Sequence, residues 1–345
     1  MLTAAATIFV FGLLVLVHEL GHFITAKATG MRVDEFAIGF GPKLLSTKRG
    51  ETVYSIRAIP LGGFNDIAGM DPEDNPAGER GYCRKPIPSR MLVILAGSAM
   101  NLILPVFLFF GIFFFAGVSE PSPEPVLGVV LPNRPAAEAG LMAGDRILRV
   151  NGENIASWEQ MVSAVQKGSE ENPLTIAYQR DGQEREATLT PVYDKNAGRA
   201  MVGVISSSNT RYPGFFESAE LSVKKTVYLL VTMLDELRKI LMRLSGEDLA
   251  GPIGVAHMAG EMAQMGFVPL LSFAAFLSMN LGIINLLPVP VLDGGHFMTL
   301  VLEAVRGKPL SRKALYFAQS VGVALLVLLM LFATKNDIVR VFMGG

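Results

Sequence analysis

The chain has 345 residues, of which 50% are hydrophobic, and its mean hydropathy of +0.41 is too high for an ordinary soluble protein of this length. The net charge is −1 and the sequence has no basic stripe with interleaved aromatic residues, which argues against nucleic-acid binding. The single cysteine, Cys83, excludes an internal disulfide and a cysteine-rich zinc site.

Apolar stretches define the predicted architecture. Residues 4–26, 91–117, 267–291 and 314–333 are each long enough to cross a bilayer, which takes about 20 apolar residues. A cleaved signal peptide is the alternative for the first stretch, but it has neither a basic start nor a small-residue cleavage site. The predicted fold class is a multi-pass α-helical membrane protein with four transmembrane helices.

The first stretch carries ionisable side chains near its end, in the sequence HELGH from His18 to His22. Such groups cost several kcal/mol at bilayer depth, so they indicate a function. His18 and His22 project from one face of a helix, and Glu19 lies beside the first of them. Two imidazole ligands and a carboxylate that takes a proton from water are typical of a catalytic zinc site. The alternative is a polar patch that joins helices, for which glutamate is an expensive choice.

The next segment predicts a hairpin. In residues 43–64 the chain turns at Arg49 and Gly50, and residues 52–59 have strand propensity, with Pro60 as terminator. Lysine and arginine are abundant between the first two apolar stretches and again between the last two, which predicts that both loops face the cytoplasm. The N-terminus and residues 118–266 then lie on the extracytoplasmic side.

Residues 118–200 have the pattern of strands, turns and a helix that is typical of a small folded domain. Turns at Gly144 and at Gly152, a helix at Trp158–Gln166 and strands at 174–178 and 187–191 resemble the order of a bacterial-type PDZ domain. Such domains accept an extended peptide beside a strand and a helix, here residues 126–131 and Trp158–Gln166. The alternative is a β-rich spacer that binds no ligand.

An amphipathic helix follows. Its apolar residues recur at spacings of three and four: Val223, Val227, Leu230, Leu234, Leu237, Leu241 and Leu244. The sequence leaves open whether this helix lies on the membrane surface or packs on the PDZ-like domain.

A third metal ligand is predicted in the sequence NLLPVPVLDGGH. His257 and His296 are candidates, but Asp293 is the stronger one, because Pro288 and Pro290 must break the third apolar stretch there. Irregular backbone at membrane depth is tolerated where it is buried in protein or lines a wet cavity. The predicted topology also brings Asp293 and the two histidines of the first stretch to the same, cytoplasmic half of the bilayer.

These motifs resemble the site-2 protease family, bacterial intramembrane zinc proteases of the regulator-of-sigma-E protease type. The sequences HELGH, IPLGGF (59–64), LAGPIGVA (249–256) and NLGIINLLPVPVLDGGH (280–296) follow in the family's order. The resemblance implies Zn²⁺ as cofactor, His18, His22 and Asp293 as metal ligands, Glu19 as catalytic base, and Asn285 as a group that holds the scissile carbonyl.

Three positions, in two segments, depart from the family's pattern. In AGSAMN, which ends at Asn101, Ser98 stands where the family has proline. After LGGF, Asn65 and Asp66 stand where an apolar residue and a base are expected.

The resemblance also implies an organisation and a substrate class. Residues 1–117 hold the first two transmembrane helices and the hairpin, 118–200 one PDZ-like domain, 201–266 a linker with the amphipathic helix, and 267–345 the last two transmembrane helices. The implied substrates are single-span membrane proteins, either anti-sigma-factor-like or signal-peptide remnants. The hairpin would enter the membrane and pair with an unwound substrate, and the PDZ-like domain would exclude substrates whose outer domains are intact.

Two other functions were weighed. In a membrane scaffold with a structural zinc, Glu19 would have no use, since structural sites close all four positions with protein ligands. A zinc transporter would favour several exchangeable sites along a path, whereas one cluster is visible in the sequence.

Overall fold

In the computed structural model, the described residues are 1–70, 77–168, 172–194, 199–243 and 251–342. Leu244 of the predicted amphipathic helix and the first two residues of LAGPIGVA lie outside them. The chain forms two compact units, one of Met1–Ala116 with Gly214–Gly345 and one of Gly117–Pro213. We call the first the membrane unit and the second the inserted domain.

Helices dominate the membrane unit. In chain order, the helices of the described residues are α1 (Leu2–Ala28), α2 (Ile87–Gly111), α3 (Pro135–Glu138), α4 (Trp158–Gln166), α5 (Phe215–Arg243), α6 (Pro252–Met265), α7 (Phe267–Asn285), α8 (Asp293–Arg306) and α9 (Arg312–Phe342). A short π-helical stretch at Ile112–Ala116 continues α2.

Strands form one long pair in the membrane unit and several short pairs in the inserted domain. They are β1 (Val33–Arg49), β2 (Thr52–Ile67), β3 (Val118–Pro121), β4 (Leu127–Val130), β5 (Arg146–Val150), β6 (Glu153–Asn154), β7 (Leu174–Arg180), β8 (Gln183–Leu189), β9 (Val192–Asp194), β10 (Arg199–Met201), β11 (Val204–Ser206) and β12 (Ser208–Arg211).

Among the described residues, 4 helices are long and apolar enough to cross a membrane, at Leu2–Ala28, Ile87–Ala116, Phe267–Asn285 and Lys313–Asp337. The third ends at Asn285, earlier than the predicted residue 291. The chain then leaves the helix because Pro288 and Pro290 lack the backbone N–H that a helix needs. The resulting loop, residues 286–292, delivers Asp293 to the start of α8.

Small residues allow α1 and α2 to approach closely. A Cβ atom at Gly21 would lie 2.4 Å from the carbonyl oxygen of Ala96, so only glycine fits there. In the first half of α1, an apolar cluster joins it to α6 and α7, formed by Ala6, Val10, Leu14, Ala259, Leu270, Phe273 and Ala274. The end of α1 that carries the histidines is therefore held against α2.

The predicted hairpin is a more folded structure than a simple pair of strands. β1 and β2 meet at the turn beside Gly50, but β2 continues through Pro60 to Ile67. The segment around Phe36 pairs with Tyr54 on one side and with Asn65 on the other, so the two long strands fold back on themselves. Pro60 does not end the strand because it follows an irregular stretch of the ladder, where proline is tolerated.

Helix α5 packs through an unexpected face. Ser218, Ser222 and Thr226 are buried, whereas Val223 and Val227 of the predicted apolar stripe are about half exposed, at 48% and 51%. The aromatic ring of its first residue, Phe215, packs on Phe110 of α2 at a centroid distance of 5.2 Å. Val223 and Val227 are therefore available to contact lipid, as expected for a membrane-associated helix.

Helix α9 is fastened to α6 by one carboxylate. Asp337 is 3% exposed, and its two oxygens accept hydrogen bonds from the backbone N–H groups of Gly251 and Gly254, at 2.9 and 2.8 Å. These N–H groups at the start of α6 have no partner within their own helix. The GPIG segment is thus capped by a side chain from the end of the chain.

The inserted domain is built around a four-stranded sheet in the order β6-β5-β7-β8. Helix α4 begins at Ser157, whose hydroxyl accepts a hydrogen bond from the N–H of Gln160. Asp145, fully buried, pairs with Arg180 at 2.7 Å and accepts from the N–H of Met142. The turn that carries Asp145 is thereby locked onto the sheet.

The domain extends beyond the predicted boundary at residue 200. Residues 201–213, predicted as part of a linker, supply β11, which pairs with β4, and β12, which pairs with β3. These pairings join the two ends of the domain, and nothing in the local sequence signals such distant partners.

The predicted peptide groove is also placed wrongly. Strand β4 pairs with β11 along one edge, while Val126 and Leu127 on the other edge pair with the backbone around Asp145. The edge of β4 that pairs with β11 is therefore not available to a peptide, and the other edge is occupied at Val126 and Leu127. The cleft beside α4 is instead lined by Trp158, Met161, Val165 and residues 200–204, and it encloses about 60 Å³.

Candidate metal centre

The two histidines of α1 face α2. His18 and His22 stand one helical turn apart, their rings meet edge to face with centroids 4.7 Å apart, and their Nε2 atoms are separated by 3.1 Å. A Cβ atom at Gly97 of α2 would lie 2.3 Å from His22 Nε2 and 2.8 Å from His18 Cε1. Glycine at position 97 therefore makes the space in which the rings stand.

Asp293 completes the cluster from the other end of the chain. Its Oδ2 lies 3.5 Å from His18 Nε2, and its Oδ1 lies 3.6 Å from His22 Nε2. The next two residues are glycines pressed against the preceding loop. A Cβ atom at Gly294 would lie 2.3 Å from the carbonyl oxygens of Leu286 and Leu287. Close packing of the loop on α8 thus fixes where Asp293 stands.

The second nitrogen of each ring is held by α2. His22 Nδ1 lies 2.7 Å from the carbonyl oxygen of Val93, so it must carry the proton and leave Nε2 with a free lone pair. His18 Nδ1 lies 3.3 Å from Nδ2 of Asn101, whose Oδ1 is buried without a partner among the described residues. The oxygen and nitrogen of a side-chain amide are told apart only by their hydrogen-bond partners. If the Asn101 amide is rotated by 180°, so that Oδ1 and Nδ2 exchange places, Oδ1 accepts a hydrogen bond from His18 Nδ1–H. Both Nε2 atoms then point lone pairs at the same space.

This arrangement fits a zinc ion. Metal-bound histidines usually donate their other nitrogen to a carbonyl or amide oxygen, as here. With bonds of about 2.1 Å, the ligand atoms of a tetrahedral zinc stand roughly 3.4 Å apart. The two Nε2 atoms are 3.1 Å apart, each lies 3.5 to 3.6 Å from one of the two carboxylate oxygens of Asp293, and one ligand atom from each residue lies within 4.8 Å of the others. Two facing lone pairs and a carboxylate also favour a cation between them on electrostatic grounds.

The Glu19 side chain is held in place by a residue of the hairpin of β1 and β2. The amide nitrogen of Asn65, on β2, donates to Glu19 Oε2 at 2.7 Å and to the Glu19 carbonyl oxygen at 2.8 Å. Gly63 of the same strand allows the contact, since a Cβ there would lie 2.9 Å from Glu19 Cγ. The carboxylate therefore has a fixed orientation beside the cluster.

Ser98 touches the cluster directly. This fully buried side chain donates a 2.8 Å hydrogen bond from its hydroxyl to Oδ2 of Asp293. Both Ser98 and Asn65 were visible in the sequence as departures from a family pattern. Their contacts could not be inferred, because they join parts of the chain that are far apart.

The other candidates are not part of this group of three ligands. Asn285 is half-buried at the last residue of α7. His257 is 55% exposed and pairs with Glu261 at 3.6 Å, so it is a surface residue. His296 lines a cavity of about 650 Å³ that also contains the ion pair of Arg90 with Glu303. Among the described residues, the group that could hold a metal ion consists of His18, His22 and Asp293.

Comparison with known proteins identifies relatives of the whole chain. The family model described as "Peptidase family M50" matches residues 6–329. The chain is 36% identical to the zinc metalloprotease RasP of Bacillus licheniformis, with 99% of this chain and 100% of that protein covered. It is 35% identical to the regulator of sigma-W protease RasP of Bacillus subtilis, with 99% of each covered.

Two further similarities were found. A putative zinc metalloprotease of Clostridium acetobutylicum is 36% identical, with 96% of each chain covered. Among solved structures, the PDZ domain of an SdrC-like protein of Listeria monocytogenes matches 25% of this chain and 90% of that domain, with 22% identity and a TM-score of 0.22.

Proposed function

The chain belongs to peptidase family M50, the site-2 proteases, and from that premise we propose that it cuts peptide bonds inside the transmembrane segments of single-span membrane proteins. Membership of this family confirms the predicted enzyme class and the predicted Zn²⁺ cofactor. The scaffold and transporter hypotheses are therefore set aside.

One observation carries the proposal. Three ligand atoms that fit zinc, and a carboxylate beside them, lie on or next to helices whose length and apolar composition suit a membrane. The side chains of His18, His22 and Asp293 are only 12% to 15% exposed. A hydrolytic site in that position would act on a peptide bond that is itself within the bilayer.

Each residue has a proposed role. His18, His22 and Asp293 would hold the metal. Acidification of water and polarisation of a carbonyl are the chemistry that a zinc ion supplies in such a site. Glu19 would accept the proton of the attacking water and pass it to the leaving nitrogen. Asn285 would donate a hydrogen bond to the carbonyl oxygen as negative charge develops there.

The substrate must unwind before it can be cut, and the sheet of β1 and β2 would receive it. A helix shields its carbonyl groups, and unwound backbone needs hydrogen-bond partners in a dry medium. The sheet exposes apolar side chains suited to lipid contact, among them Leu44 at 64% and Leu45 at 67%. Its segment from Gly63 to Ile67 passes Glu19, so a strand added there would be presented to the base.

The inserted domain is proposed to face the extracytoplasmic side and to act as a PDZ-like filter, with the active site towards the cytoplasm. The distribution of lysine and arginine between the loops supports this orientation. The cleft between α4 and residues 200–204 is the proposed peptide site, since β4 is occupied. The name of the Bacillus subtilis relative supports anti-sigma-factor-like substrates, and signal-peptide remnants are the other proposed class.

The proposal is tested with the full chain in lipid nanodiscs and a single-span reporter protein. The wild type should cut the reporter within its membrane segment, and Glu19→Gln should abolish cleavage while retaining zinc. His22→Ala and Asp293→Ala should each lose zinc. Cleavage by Glu19→Gln at the wild-type rate would contradict the assigned base, and full zinc content in both other variants would contradict the assigned ligands.

A further inference from the structure

Asn65 connects the sheet to the catalytic base. One amide nitrogen reaches both the carboxylate and the backbone carbonyl of Glu19, at 2.7 and 2.8 Å. Both partners are acceptors, so the nitrogen end of the amide must face them. The orientation of Asn65 is therefore determined by its surroundings.

This contact restricts the carboxylate. A glutamate side chain has several rotatable bonds, and in an open cavity its carboxyl group would sample many positions. A hydrogen bond to a charged acceptor is stronger than one between neutral groups, and it fixes one oxygen. Oε2 is held by Asn65, which leaves Oε1 as the oxygen that can take a proton.

The approach of β2 to α1 is built into the backbone as well. Gly63 stands two residues before Asn65, and a Cβ there would lie 2.8 Å from the Ala37 carbonyl oxygen and 2.9 Å from Glu19 Cγ. Asn65 is paired in the sheet with Phe36, so its backbone is fixed independently of Glu19. The Asn65 amide thus ties the position of the Glu19 carboxylate to that of the sheet of β1 and β2.

We propose that Asn65 is a positioning residue, which orients the Glu19 carboxylate for proton transfer and keeps it in register with the sheet that receives the substrate. The inference deepens the proposed function and rests on it. Asn65 acts through Glu19 and has no assigned contact with the metal.

Replacing this amide also removes a destabilising group, which offsets part of the loss of its two hydrogen bonds to Glu19. Asn65 Oδ1 is buried and has no hydrogen-bond partner among the described residues. A buried acceptor without a partner destabilises a protein, and an apolar side chain of similar volume removes that penalty. Asn65→Leu is therefore expected to fold, which makes it a suitable test.

The experiment measures cleavage of the single-span reporter by the full-length protein in nanodiscs, together with zinc affinity by chelator competition. For Asn65→Leu, kcat should fall about 10-fold while KM stays within about twofold, because the base is misoriented and substrate binding is not. Asn65→Asp, which keeps the shape but loses the donor, should lose at least as much. Zinc affinity should match the wild type in both variants.

Thr7→Val is the matched control. It removes a hydrogen-bonding side chain from the same helix as Glu19, since the Thr7 hydroxyl donates to the Thr3 carbonyl oxygen. It should leave kcat, KM and zinc affinity unchanged.

The outcomes separate this inference from the proposed function. A wild-type kcat in Asn65→Leu and Asn65→Asp, a loss confined to KM, or a fall in zinc affinity would each overturn the role of Asn65 while leaving the protease assignment intact. A wild type that leaves the reporter intact, or a Glu19→Gln variant that cuts it, overturns both.

Discussion

Ser98 and Asp293, 195 positions apart in the chain, are joined by a 2.8 Å hydrogen bond from the serine hydroxyl to Oδ2 of the aspartate. The same oxygen is the one that faces His18 Nε2. Ser98, which stands in place of the family's proline, thus orients the proposed metal ligand Asp293 through a hydrogen bond to its carboxylate.

Replacing Ser98 with alanine should weaken zinc binding. Loss of a hydrogen bond that orients a metal ligand typically reduces metal affinity by about 10-fold or more. The measurement is zinc affinity by competition with a fluorescent chelator. Ser222→Ala is the control, since Ser222 is equally buried but donates within α5 to Ala219. Equal affinities in wild type and Ser98→Ala would mean that the bond does not orient the ligand.

Gly97→Ala should abolish zinc binding. The added methyl group would stand 2.3 Å from His22 Nε2, well inside van der Waals contact, and α2 is too tightly packed to yield. Bound zinc per protein is measured by elemental analysis after purification. Gly111→Ala, in the same helix, meets nothing within 4 Å and should keep its zinc. A zinc-replete Gly97→Ala protein would refute the packing described for the imidazoles.

Asp145→Ala should destabilise the inserted domain. The substitution removes both the ion pair with Arg180 and the acceptor for the Met142 N–H, which together hold this turn on the sheet. Hydrogen exchange of the full-length protein should show faster exchange throughout β5 and β7. Arg149→Ala breaks the exposed pair with Glu184 and should have little effect. Unchanged exchange in Asp145→Ala would contradict the buried pairing.

The sheet of the membrane unit should weaken in acid. Burial would raise the pKa of Glu35, but hydrogen bonds from Ser55, Lys43 and Arg57 outweigh it and lower the pKa to about 2. A carboxyl group with a lowered folded-state pKa stabilises the fold above its unfolded pKa, about 4.5, and loses that contribution as pH falls towards 2.

The measurement for Glu35 is the difference in thermal unfolding temperature between wild type and Glu35→Gln across pH. The wild type should be the more stable at pH 7, and the difference should shrink between about pH 4.5 and about pH 2. A difference that does not change over this window would show that the ion-pair network does not hold Glu35 in its charged form.

The sequence was most informative where chemistry and spacing are local. The spacing of His18 and His22 predicts their common face, and Pro288 and Pro290 predict the break before Asp293. The family resemblance is confirmed by the comparisons over nearly the whole chain.

Features that depend on distant partners were missed. Because β4 pairs with β11, the cleft of the inserted domain is lined by residues 200–204 and not by the predicted residues 126–131. No periodicity in either segment predicts this pairing. The sequence left open what the apolar stripe of α5 contacts, since amphipathicity does not say whether the apolar side meets protein or lipid. Asn65 and Ser98 stood out as unusual residues, but their roles come from contacts across the fold.

The three side chains of the proposed metal site come from distant parts of the sequence, and this determines when the site can form during translation. Its two histidines are translated together in α1, whereas Asp293 follows only after α2, the inserted domain and α7 have been made. A ribosome-bound intermediate therefore has two of the three side chains and cannot assemble the set.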